Sequence, residues 1–76
     1  MFNKGDSIRF VNTGITAKIV NIGVDPEASD DLVRYRLHVS PDDIGLMFGD
    51  LAEKMKPPYA CSVPVDNDKV KMVKIN

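Results

Sequence analysis

Tryptophan is absent, histidine and cysteine occur once each, and neither sign of charge dominates. Ten Lys and Arg stand against eleven Asp and Glu, for a formal net charge of −1. Each shortage excludes something. With Cys61 as the single cysteine, no intrachain disulfide can form, and a chain this small without a disulfide framework fits a reducing compartment. One His offers no partner ligands for a metal, so no metal or other cofactor is expected. The near-neutral charge counts against a dedicated non-specific nucleic-acid binder, which is usually clearly basic. No apolar run approaches the roughly 20 residues that a membrane helix needs. The start "MFNKGDSIRF" turns polar at once, without the apolar stretch of a signal peptide. The expected setting is cytoplasmic, away from membranes.

What is present fits one small folded domain over residues 1–76. Hydrophobic residues make up 43% and charged residues 28%, a balance that argues against disorder. A domain of this size buries a modest share of its surface and is marginally stable. Beginning at Met1, the chain is expected to be a stand-alone module rather than a part of a larger enzyme.

The apolar periodicity is mostly two. "GDSIRFV" alternates Ile8 and Phe10 with Ser7 and Arg9, and "NTG" at Asn12–Gly14 supplies a turn. "ITAKIVNIGV" is β-branched, but its phase slips: Ile15, Ala17 and Ile19 share one parity, whereas Val20 and Ile22 take the other. A bulge or strong coil near Ile19–Val20 reconciles them. "DPEASDD" is an acidic loop. "LVRYRLHVS" is the clearest strand, with Val33, Tyr35, Leu37 and Val39 facing one way and Arg34, Arg36 and His38 the other. "YACSVPV" alternates again, and Pro64 marks it as an edge strand or its end. "KVKMVKI" closes the chain. The pattern predicts a mainly β fold: a five-stranded, partly open barrel with one helix inserted between the third and fourth strands.

Some of these residues resemble a known pattern. Gly5, Asp6, Ile8, Gly14 and Ala17 in "GDSIRFVNTGITAKIVNI" are similar to the first hairpin of SH3-like small barrels of the KOW and Tudor-like kind. "SVPVDNDKVKMVKI" is similar to their last two strands. The two ends of the chain, about half of it, also resemble the RNA-polymerase-interacting domain of CarD-type regulators and transcription–repair coupling factors. The resemblance implies an SH3-like barrel and puts the transcription machinery among the expected partners. Two departures stand out. Ile15-Thr16-Ala17 takes the place where such domains often carry Gly-x-Gly, and Ser40–Pro58 is not part of the plain pattern.

That insert, "SPDDIGLMFGDLAEKMKPP", is expected to form a helix over about residues 41–56. Ser40 reads as N-cap, Pro41 as first helical residue, and Asp43 as a short substitute for the Glu of a capping box. Asp42 and Asp43 in the first turn, and Lys54 and Lys56 in the last, suit the helix dipole. Pro57 and Pro58 stop it. Ile44, Met47, Phe48, Leu51 and Met55 form one apolar stripe, expected to plug the open end of the barrel. Leu46 lies off the stripe, and Gly45 and Gly49 form a narrow strip of small residues. Each glycine costs a helix about 1 kcal/mol relative to Ala.

Catalytic machinery is not evident. His38 and Cys61 fall on different strands with opposite facing, so they do not form a nucleophile pair. Cys61 is expected to pack as a small hydrophobe and His38 to sit in solvent. Gly5, Gly14 and Gly23 lack phosphate-loop spacing. Asp25, Glu27, Asp30 and Asp31 lack the calcium-loop pattern. Phe10, Tyr35 and Tyr59 face inward, which removes a stacking platform for bases. Two sets remain. Gly45, Leu46, Met47, Phe48 and Gly49 are the candidate protein-docking surface, since Met and Phe adapt to partner surfaces. Arg34, Arg36 and His38, with Lys69, Lys71 and Lys74 if the last strand lies beside them, are the candidate contact for nucleic acid or an acidic partner. The ordinary outer face of a barrel strand is the favoured reading of the first three, since binary patterning requires such alternating charges anyway.

The sequence therefore points to a non-enzymatic protein-binding module that regulates or inhibits a larger cytoplasmic protein, in the manner of a bacterial or phage accessory protein. Its alternatives are a nucleic-acid-binding accessory and a homo-oligomer, in the simplest case a homodimer, whose helix is the self-interface.

Overall fold

The computed structural model describes the whole chain, Met1–Asn76. Five strands form one antiparallel sheet: β1 (Ser7–Phe10), β2 (Thr16–Val24), β3 (Val33–Val39), β4 (Ala60–Pro64) and β5 (Met72–Lys74). Their order is β4-β3-β2-β1-β5, so the first and last strands of the chain pair. The outer strands, β4 and β5, do not pair with each other, and the sheet stays open between them.

The alternation read from the sequence becomes the core. Ile8 and Phe10 from β1, Ala17 and Ile19 from β2, Tyr35, Leu37 and Val39 from β3, and Val63 from β4 are buried together with Ile15. Ile8, Ile15, Ile19 and Leu37 are fully buried, each contributing about 1.5–3 kcal/mol of apolar burial. The β1–β2 turn is set by Gly14, whose φ of +74° an L side chain resists. Its N–H donates to the Phe10 carbonyl at 2.8 Å. The phase slip is a bulge: Ile19 faces Leu37, Asn21 faces Arg36, and Val20 is the extra residue. That lets Ile22, of opposite parity to Ile19, still pack against the core.

Pro64 ends β4 on an edge strand. The backbone bonds from Val39 N–H to the Tyr59 carbonyl and from Val65 N–H to the Val33 carbonyl fix which residues of β4 face β3. By alternation, Ala60, Ser62 and Pro64 turn their backbones to the open side, where Pro64 has no N–H to leave unpaired.

The helix departs from expectation. It runs Pro41–Lys54 rather than to residue 56, and it is three pieces: a 3₁₀ turn (Pro41–Asp43), a short α-helix α1 (Ile44–Phe48) and a second 3₁₀ stretch (Gly49–Lys54). No side chain caps any of them, Ser40 included. Gly49 is the reason for the break. Its φ of +60° and ψ of −134° take the chain out of the helix, and its N–H closes α1 on the Gly45 carbonyl. A single apolar stripe cannot survive that turn. Ile44 and Met47 pack against the core and Phe48 and Met55 are half-buried, but Leu51 is 63% exposed. The plug consists of Ile44 and Met47. No helix is long and apolar enough to cross a membrane.

Candidate functional site

The gap between β4 and β5 becomes a groove of about 410 Å³. Phe10, Ile15 and Val63 contribute core side chains to it, and Val70 adds an apolar wall on the approach to β5. Met47 and Leu46 close one side from α1. Leu46 is 71% exposed, the largest apolar side chain on that rim left uncovered. The β1–β2 turn contributes Asn12 and Thr13, and β4 contributes Cys61 and Ser62. Lys69 and Lys71 are the only lining residues charged at neutral pH, and neither is in an ion pair. An apolar floor beside two unpaired ammonium groups favours an apolar side chain carrying a carboxylate nearby.

The position of α1 over this groove depends on Asp43. Its Oδ2 accepts hydrogen bonds from the Thr16 N–H and the Thr16 hydroxyl, both at 3.0 Å. The Ser40 N–H donates to the Thr16 carbonyl at 3.0 Å. These three bonds fasten the start of the helical segment to the start of β2, one turn ahead of Leu46.

Within the proposed protein-docking set, Leu46 and Met47 line the groove, whereas Gly45, Phe48 and Gly49 do not. Gly45 and Gly49 do not form a helical strip, since Gly49 lies past the end of α1. An added Cβ at either glycine would meet nothing within 4 Å, so no neighbour of this chain packs on them.

The basic set divides. The sheet order separates β3 from β5 by β2 and β1, so Lys74 is not beside the arginine stripe. Lys69 and Lys71 precede β5 and belong to the groove; Lys74 lies 3.5 Å from the Asp6 carboxylate. On β3, Arg34 is tied through Nη2 to Asp30 Oδ2 at 2.7 Å, and its buried Nε has no acceptor. That bond, with a second from the Leu32 N–H, holds the Asp30 carboxyl below its ordinary pKa. Arg36 is exposed and His38 half-buried opposite Lys18 of β2. Arg34 and Arg36 share a polar hollow of about 270 Å³ on the outer face, but Asp25 and Glu27 line it as well. Two cations facing two carboxylates make a poor phosphate site.

Phe10 and Tyr35 face inward as expected, and Tyr59 packs against the core half-buried. The Tyr35 ring meets Phe2 edge to face with centroids 5.7 Å apart, and its hydroxyl oxygen accepts from the Phe2 N–H at 3.2 Å. Cys61 is half-buried at the sheet edge, and burial pushes its thiol above the ordinary value. Of the groove residues, the sequence offers Phe10, Ile15, Cys61 and Val63 only as core and does not mark Asn12, Thr13, Ser62 and Val70 as site residues at all. Val70 carried the one available signal, an apolar residue between Lys69 and Lys71.

Comparison of the chain with protein-family models, curated proteins and solved structures finds no match.

Proposed function

We propose that this chain is a small non-enzymatic protein-binding module, built on an SH3-like partly open barrel, that regulates a larger protein or complex by docking it in the groove between β4 and β5. The strand order, with β1 at the centre of a β2-β1-β5 triplet, supports the barrel type. The observation that carries the functional reading is Leu46: a large apolar side chain, 71% exposed, over a groove that the chain's own residues leave open. Exposed apolar rims beside apolar grooves mark interaction sites more often than isolated surface leucines do. The transcription machinery is the partner class that the resemblance of the two chain ends favours.

The test is capture from host extract on immobilised wild-type and Leu46→Asp protein, followed by titration of the purified partner. The expected result is one protein bound by wild type, lost with Leu46→Asp while far-UV circular dichroism is unchanged, and little affected by salt between 50 and 200 mM (about 10³-fold or more would be lost in phosphate-driven binding). Equal binding by Leu46→Asp overturns the reading, as does retention of nucleic acid alone that disappears with Arg36→Ala.

A further inference from the structure

Gly23 lies inside β2 with no need of its own chain to be glycine. Its φ is not positive, and an added Cβ would meet nothing within 4 Å. A glycine inside a strand weakens it, and such positions often mark a close approach by a ligand or another backbone. Nothing of this chain makes that approach here. Gly23 instead lines the polar hollow of about 270 Å³ on the outer face of the sheet. Arg34 stands opposite Gly23 in the β2–β3 register, and Arg36 opposite Asn21. The missing side chain leaves open the space that Arg34 and Arg36 share with Asp25 and Glu27.

These four charges do not satisfy one another. Arg36, Asp25 and Glu27 are in no ion pair. Arg34 donates only through Nη2, to Asp30, which does not line the hollow, and its buried Nε has no acceptor. Asp25 accepts one bond, from the Glu27 N–H at 2.9 Å. A simple anion or a simple cation entering here meets a like charge. A molecule carrying both signs finds a complement for each.

We infer that the hollow binds a small zwitterion of the α-amino acid class, its carboxylate on Arg34 and Arg36, its ammonium on Asp25 and Glu27, and its body over Gly23. The volume falls just under the roughly 300–1,000 Å³ of pockets for drug-sized ligands, which suits so small a molecule. The hollow shares only Cys61 and Ser62 with the apolar groove, so this site stands apart from the docking of a protein partner.

The test is an NMR titration of the ¹⁵N-labelled chain with each free α-amino acid, and with acetate and methylammonium as controls that carry one charge each. At least one amino acid is expected to shift the amide signals of Gly23 and Arg36 saturably, half-complete at about 1 mM or below, and neither control to do so. Arg36→Ala and Glu27→Gln should each weaken binding about tenfold or more, since each removes a charge-assisted hydrogen bond. Glu27 is exposed in a loop, so its variant tests the site without touching the sheet. Gly23→Val fills the hollow with a side chain that strands favour, so binding is lost while the thermal midpoint holds or rises. No saturable shift with any amino acid up to about 10 mM overturns the inference. Acetate or methylammonium binding as tightly as the amino acid, or undiminished binding by Gly23→Val, overturns it as well.

Discussion

Asp43 and Thr16 are 27 residues apart in sequence, yet one carboxylate oxygen of Asp43 accepts from both the N–H and the hydroxyl of Thr16, each at 3.0 Å. With the Ser40 N–H bond to the Thr16 carbonyl, the pair links the start of the helical segment to the sheet and sets where α1 lies over the groove. Asp43→Ala leaves the half-buried Thr16 N–H without an acceptor and is expected to destabilise the fold by about 1–3 kcal/mol. Thr16→Val removes the hydroxyl bond alone, for about 0.5–1.5 kcal/mol. Urea denaturation of both single variants and the double variant checks the assignment. The two losses should not add, because the hydroxyl bond is already gone in Asp43→Ala. Strict additivity would mean that the two groups act separately.

The two glycines of the helical segment should respond to alanine with opposite sign. Gly45 lies inside α1 with open space around it, so Gly45→Ala is expected to stabilise by about 0.5–1 kcal/mol through helix propensity. Gly49 has equal space but a φ of +60° that Ala adopts only under strain, so Gly49→Ala is expected to cost about 1 kcal/mol or more. Thermal melts of both variants decide the matter. If Gly49→Ala stabilises, the segment prefers one continuous helix, and the break at Gly49 is not intrinsic.

That contrast also marks what sequence could reveal. β3 was legible because Tyr35, Leu37 and Val39 alternate with polar residues over an uninterrupted strand. The irregularity near Val20 is legible because a change of parity with both apolar sets on the core calls for a bulge or strong coiling; the register, with Val20 unpaired, decides for the bulge. The helical segment was half legible. Ser40, Pro41 and the acidic first turn mark its start correctly, but Asp43, read as part of a local cap, is taken by Thr16. Nothing in the local sequence announces a partner so far away. Gly49 read as a weak interior position because residues four apart fit a helical strip; only its dihedral angles show a terminator, and Leu51 is carried into solvent with it. Leu46, Met47, Lys69 and Lys71 were singled out in two separate sets. Their convergence follows from the sheet being open between β4 and β5, a tertiary fact that alternation does not encode.

Two perturbed groups give the stability a pH dependence at each end. Asp30 has its folded pKa lowered, first by the Arg34 hydrogen bond. Its contribution is therefore present above the ordinary carboxylate range and is lost as pH falls through the folded value. The Asp30 side chain is 41% exposed and screened by solvent, so the pair contributes little, and Asp30→Asn should flatten only the acid limb. Cys61 is the opposite case. Burial raises its folded pKa, so the folded state resists forming the thiolate. The stability it contributes is present below the ordinary thiol value and is lost as pH rises through the folded one. The stability difference between wild type and Cys61→Ala, followed by denaturation from neutral to alkaline pH, should shrink as pH rises. Carboxamidomethylation of Cys61 at neutral pH should run slower in the folded chain than in urea-unfolded chain, because the thiolate is the reacting species. Equal rates would mean that the thiol at the β4 edge is as well solvated as in the open chain, and that the groove beside it is wider than its side chains indicate.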